Sequence, residues 1–143
     1  MLEGAQTIAV AREPAAERRG LQVLVVDDSQ FVLKAARSLL ETMPRIGLIV
    51  TALSGQAALE LSARQPFDLV LLDLAMDGLN GLEVARELRR RPRSPRIVMM
   101  SLYDEPEFGV AALAAGADVL IHKPSLGVKL EPLLVSLFGP LSA

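Results

Sequence analysis

Five polar residues stand directly behind short apolar runs, and their types fit one chemistry. Asp27 and Asp28 follow Leu21–Val26, Asp73 follows Asp68–Leu72, Ser101 follows Arg96–Met100, and Lys123 follows Asp118–His122. Each run reads as a buried strand. In a parallel sheet the carboxyl ends of such strands share one edge, so these side chains converge there. Three carboxylates in one place repel, and either a cation holds them or one stays protonated. Mg²⁺ suits the set, because it takes a few carboxylates, keeps several waters and coordinates phosphate oxygens. Asp28 is the more direct expected ligand, with Asp27 acting directly or through water. Lys123 supplies a fixed positive charge, and the Ser101 hydroxyl can donate to an arriving oxyanion. A carboxylate such as Asp73, set between a metal and a lysine, is a candidate phosphoryl acceptor, since carboxylates form acyl-phosphate intermediates. Gly78 and Gly81, in the loop behind it, let backbone come close to a phosphate.

The elements that must position these groups follow from the intervening text. Ser29 can cap a helix in which Phe31, Ala35, Leu39 and Met43 recur four apart, and Pro44 stops it. Ile46–Leu53 reads as a second strand. Ser54-Gly55 opens a second helix carrying Ala58, Leu59 and Leu61, which Pro66 closes. Leu82, Ala85 and Leu88 mark a third helix, and Asp104–Ala115 a fourth, stopped by Gly116. Leu126–Phe138 is a weaker last helix, because Pro132 suits only a helix start or a kink. Strands alternating with helices in this way predict a doubly wound α/β fold, a parallel sheet with helices on both faces. Residues 1–20 alternate Glu, Arg, Ala and Gly without a clear period and are expected to form a flexible extension before a domain at 21–143.

Composition narrows the function. The 143 residues suit one domain. Aromatics make up only 3%, so Leu, Val, Ile and Ala must build the core. The absence of cysteine excludes disulfides, thiolate metal sites and cysteine nucleophiles, and a single histidine excludes a multi-histidine metal site. A net charge of −2 does not suggest direct nucleic-acid binding. The apolar runs fall far short of the about 20 residues of a membrane span. The N-terminus lacks the pattern of a signal peptide, so a cytoplasmic protein without membrane contact is expected.

The run Leu24-Val25-Val26-Asp27-Asp28-Ser29 resembles the start of response-regulator receiver domains. So do Leu72-Asp73-Leu74, Met76-Asp77-Gly78-Leu79-Asn80-Gly81, Ser101 after Val-Met-Met, and Ala115-Gly116-Ala117-Asp118 leading to Lys123-Pro124. The resemblance covers about residues 21–138. It implies a flavodoxin-like (βα)5 fold with strand order 2-1-3-4-5. It also implies Mg²⁺ held by Asp27, Asp28 and Asp73, phosphorylation of Asp73, a switch hydroxyl at Ser101 and a phosphate-pairing Lys123. A cis peptide before Pro124 is implied as well. A sensor histidine kinase or phosphotransfer protein would donate the phosphoryl group, and a downstream protein would read the changed surface. Such a chain is a switch and not an enzyme, although it can assist its own phosphorylation and dephosphorylation.

Three positions depart from the family pattern. Asp77 stands where the loop usually carries Pro, Leu102 where a small residue usually follows the switch hydroxyl, and Leu120 where Tyr or Phe often swings inward. The site is complete, while the usual aromatic relay is altered. The output surface is therefore expected on the fourth helix, fifth strand and fifth helix, with repacking nearer Tyr103. Arg89-Arg90-Arg91-Pro92-Arg93 reads as a solvated helix end, and His122 as a surface histidine.

Other readings differ at identifiable points. A receiver excised from a longer DNA-binding regulator would share every feature of the site. A pseudo-receiver would bind partners without phosphorylation, which the complete acidic set argues against. A dehalogenase-like phosphatase needs a second Asp two residues after its nucleophile, but Ser29 follows Asp27 and Ala75 follows Asp73 at that spacing.

Overall fold

The computed structural model describes residues 19–78 and 80–141. Most of the expected leader and Leu79 of the glycine loop lie outside them. In chain order the elements are β1 (Leu21–Val26), α1 (Gln30–Glu41), β2 (Ile46–Ala52), α2 (Gly55–Arg64), β3 (Leu69–Asp73) and α3 (Gly81–Arg90). There follow β4 (Arg96–Ser101), α4 (Pro106–Ala114), β5 (Val119–His122), a 3₁₀ turn (Lys123–Ser125) and α5 (Leu126–Phe138). All strand pairs are parallel, in the order β2-β1-β3-β4-β5. The expected doubly wound sheet and its strand order are present.

Alternate strand residues point to opposite faces, which divides the core in two. Val23, Val25, Leu69, Leu71, Val98 and Met100 pack with Leu33, Ala36 and Leu40 of α1 and with Leu126, Leu130 and Leu134 of α5. Leu24, Val26, Val70, Leu72, Ile97 and Met99 pack with Ala58 of α2, Val84 and Leu88 of α3, and Ala112 of α4. Every residue of β3 is buried, as a central strand covered on both faces requires.

The buried face of α1 differs from the expected one. Leu33, Ala36 and Leu40 face inward, while Phe31 is 81% exposed. A strict repeat of four drifts about 40° around the helix at each step, whereas alternating threes and fours hold one face. Ser29 caps this helix as expected, its Oγ accepting from Val32 N–H at 3.3 Å.

One expectation around proline needs correction. No cis peptide occurs among the described residues, so the bond before Pro124 is trans. Pro124 instead sits in the first positions of the 3₁₀ turn, behind Lys123, where its missing N–H is not needed. Of the two places expected for Pro132, a helix start or a kink, the start is excluded, because Pro132 lies inside α5, which runs on to Phe138. Pro132 lies on the exposed face of α5, as does Val128, whose carbonyl it leaves without an intrahelical donor.

The arginine run is more structural than a solvated helix end. Arg89 Nε donates to Gly116 O at 2.7 Å, and its guanidinium also reaches Ser94 Oγ and Asp118 Oδ2 at 2.9 and 3.0 Å. Arg96 and the Ile97 N–H complete the hold on Asp118, at 3.1 and 2.8 Å. This network ties the end of α3 to the starts of β4 and β5, at the sheet edge opposite the acidic residues. Arg90, in contrast, is 75% exposed and, among the described residues, pairs with Glu87 alone.

Candidate functional site

The topology brings the sequence-predicted residues together. Adjacent strands β1 and β3 pair Val26 with Leu72, so Asp27 and Asp73 emerge side by side one residue later. The order of the strands reverses here, with β2 on one side and β4 and β5 on the other. Carboxylate oxygens of Asp27, Asp28 and Asp73 all lie within 4.8 Å of one another. Asp27 and Asp73 are buried and Asp28 is exposed, which leaves the cluster open on one side.

Lys123, placed by the end of β5, reaches across to this cluster. Its Nζ lies 2.8 Å from Asp27 Oδ2 and 3.2 Å from Asp73 Oδ1. Asp27 Oδ1 accepts from Ser29 N–H at 2.9 Å, which links the carboxylate to the start of α1. Asp73 Oδ1 accepts from Ala75 N–H at 3.4 Å, a weak bond that leaves the group less firmly held. Ser101 is buried at the end of β4, and its Oγ accepts from Tyr103 N–H at 2.9 Å. Its own O–H remains available to donate.

The electrostatics show a shortage of positive charge. Burial, then the neighbouring Asp27, push the Asp73 carboxyl above its ordinary range, and Lys123 only partly offsets them. Burial alone would lower Lys123, but Asp27 and Asp73 outweigh it and hold the ammonium above its usual value. Three carboxylates against one ammonium fit a divalent hard cation, whose preferred ligands are oxygens.

The loop behind Asp73 makes its own contribution. A Cβ on Gly81 would stand 2.1 Å from the Asp73 carbonyl oxygen, so only glycine lets α3 start this close to the acceptor strand. Asn80 caps α3 in a reciprocal box with Glu83. Gly81, expected to admit a phosphate, instead makes its close approach to the strand, and of the two loop glycines Gly81 alone carries that space requirement. His122, expected as a surface histidine, has its Nε2 3.0 Å from Leu102 O. No sequence signal pointed to that contact, which depends on the pairing of Ser101 with His122 across β4 and β5.

A family model described as response regulator receiver domain matches residues 23–134. The chain belongs to the response-regulator receiver family. Among curated relatives of this receiver, protein-glutamate methylesterase/protein-glutamine glutaminase 5 of Myxococcus xanthus is 42% identical over 106 residues, covering 73% of this chain and 30% of that protein. The nitrate/nitrite response regulator protein NarP of Escherichia coli is 34% identical over 109 residues, covering 76% of this chain and 51% of its own length. The receiver thus spans about a third to a half of these relatives. Among solved structures, the chemotaxis protein CheY4 of Vibrio cholerae superposes with a TM-score of 0.76 at 25% identity, over 83% of this chain and 99% of that one. The receiver domain of the histidine kinase CKI1 from Arabidopsis thaliana, described as complexed with Mg²⁺, superposes with a TM-score of 0.73 at 27% identity, over 83% and 92%. The receiver has no described helix long and apolar enough to cross a membrane.

Proposed function

We propose that this receiver is a phospho-accepting switch that takes a phosphoryl group on Asp73, with Mg²⁺ held by Asp27, Asp28 and Asp73. One observation carries the reading: three carboxylates gathered within 4.8 Å, with a lysine ammonium against the two buried ones. An Asp73 carboxylate oxygen attacks the phosphorus of a donor, forming an acyl phosphate as the donor's bond to phosphorus breaks. When bound there, Mg²⁺ would neutralise the negative charge that gathers as the phosphoryl group arrives. Lys123 orients Asp73 and balances its charge, and the Ser101 hydroxyl donates to a phosphoryl oxygen. The acyl phosphate carries about −1.5 to −2 where the carboxylate carried −1, with three strong acceptor oxygens, and this then favours one of two arrangements of the β4 and β5 ends.

The donor on this reading is a sensor histidine kinase or a phosphotransfer protein, and the recipient of the signal is another protein. Residues 21–143 act as the receiver unit, preceded by the extension at 1–20. The chain is a switch acting on its own aspartate. The greater length of the relatives supports a second reading, in which the receiver is the input half of a longer regulator.

Incubation with a small-molecule phosphodonor tests the proposal. One phosphoryl equivalent is expected in the intact mass with Mg²⁺, and none after chelation. Equal uptake in chelator would contradict the metal's role, and no uptake under either condition would favour the pseudo-receiver.

A further inference from the structure

We propose that His122 is a positioning residue that couples the acidic site to the β4–α4 loop, an inference that rests on the phospho-accepting reading. The connection is continuous. His122 pairs with Ser101 across β4 and β5. It immediately precedes Lys123, whose Nζ contacts Asp27 and Asp73. Its own Nε2 lies 3.0 Å from Leu102 O. A carbonyl can only accept, so Nε2 carries the proton and donates.

The loop reached by that bond has few other anchors. Leu102 is 65% exposed and Tyr103 is 53% exposed. Glu105, at the N-cap of α4, makes no side-chain capping bond. Tyr103 donates its N–H to Ser101 Oγ at 2.9 Å and stacks its ring on Phe108 of α4, with centroids 5.3 Å apart. The path therefore runs from Lys123 through His122 to Leu102, then along the chain to Tyr103 and across to α4. Leu120, two residues earlier on the same face of β5, has no polar side-chain atom with which to make such a tie. An anion on Asp73 draws Lys123 and Ser101 toward one point. His122 makes the loop follow that movement instead of moving independently of it.

The protein carries one tyrosine and no tryptophan, so tyrosine fluorescence reports Tyr103 alone. The probe is beryllofluoride with Mg²⁺, added to the full chain. Its uptake is read separately from the amide shift of Ala75, whose N–H contacts Asp73. In the wild type both signals are expected to change. In His122→Leu the Ala75 shift should persist while the Tyr103 response falls about five-fold, the weight of one hydrogen bond in a two-state balance. His122→Asn, too short to reach the carbonyl, should repeat the loss in a polar side chain. His122→Gln, which offers an N–H donor at similar reach, should restore most of the response, as a merely space-filling role would not. An undiminished Tyr103 response in His122→Leu or His122→Asn, with the Ala75 shift intact, overturns the coupling alone. Absence of the Ala75 shift in the wild type overturns the phospho-accepting reading and the coupling with it.

Discussion

Asp27 and Asp73 leave adjacent parallel strands one residue beyond the Val26–Leu72 pair, and their carboxylates close on a single lysine ammonium. Lys123 lies nearer Asp27, at 2.8 Å, than Asp73, at 3.2 Å. The closer carboxylate is the fully buried one, and Asp73 is left as the less firmly neutralised carboxylate. That asymmetry suits a division in which Asp27 anchors the lysine and Asp73 reacts.

Asp73 should make the metal-free protein less stable as pH rises. Burial and Asp27 raise its pKa in the folded state, so the folded protein binds this proton more tightly than the unfolded chain does. The resulting stabilisation is complete below the ordinary carboxylate range and is lost as pH rises through the raised folded value. Asp73→Asn is therefore expected to melt above wild type at neutral pH without Mg²⁺, with the gap closing in acid. Thermal melts across that range check this, and a gap that widens in acid would contradict the sign.

Asp28→Ala removes the exposed member of the cluster. Mg²⁺ affinity should fall about ten-fold or more, by analogy with the cost of disturbing metal-site residues. Titration calorimetry measures it, and unchanged affinity would remove Asp28 from the metal site.

The two loop glycines should respond differently to alanine. At Gly81 the added Cβ meets the Asp73 carbonyl oxygen, so a loss of about 3 kcal/mol is expected, at the upper end of overpacking costs. At Gly78 the space is open and only the positive φ of 76° is strained, so about 1 kcal/mol is expected. Urea denaturation of both variants distinguishes backbone crowding from conformational strain.

Arg89→Met should destabilise the fold by about 2 kcal/mol by breaking the hold on Gly116 and Asp118, while phosphorylation stays intact. Arg90→Ala, at an exposed pair, should stay within about 0.5 kcal/mol of wild type. Equal losses would mean that the network carries no special weight.

Much of this arrangement was legible in the sequence. Buried strands followed by polar residues are a local pattern, and a parallel sheet converts that pattern into a site. Asp27, Asp28, Asp73 and Lys123 therefore met where the text placed them. The inward face of α1 was less legible, because Phe31 and Leu33 both start an apolar series, and only the series from Leu33, spaced by three and then four, stays on one face. Arg89 was hidden for a different reason. Its partners Gly116 and Asp118 lie far along the chain, and a run of arginines looks the same whether its members are tied down or solvated. His122 could be found only once Ser101 was paired with it across the sheet.

Asp73 as the carrier of the phosphoryl group can be tested on the chain itself. An acyl phosphate is reduced by borohydride to an alcohol, which turns the modified aspartate into homoserine. Peptide mass spectrometry after phosphodonor treatment and borohydride reduction locates that change along the chain. Homoserine is expected at position 73, dependent on Mg²⁺ and absent from Asp73→Asn. Homoserine at position 27 or 28 in the wild type, with 73 unmodified, would contradict that assignment.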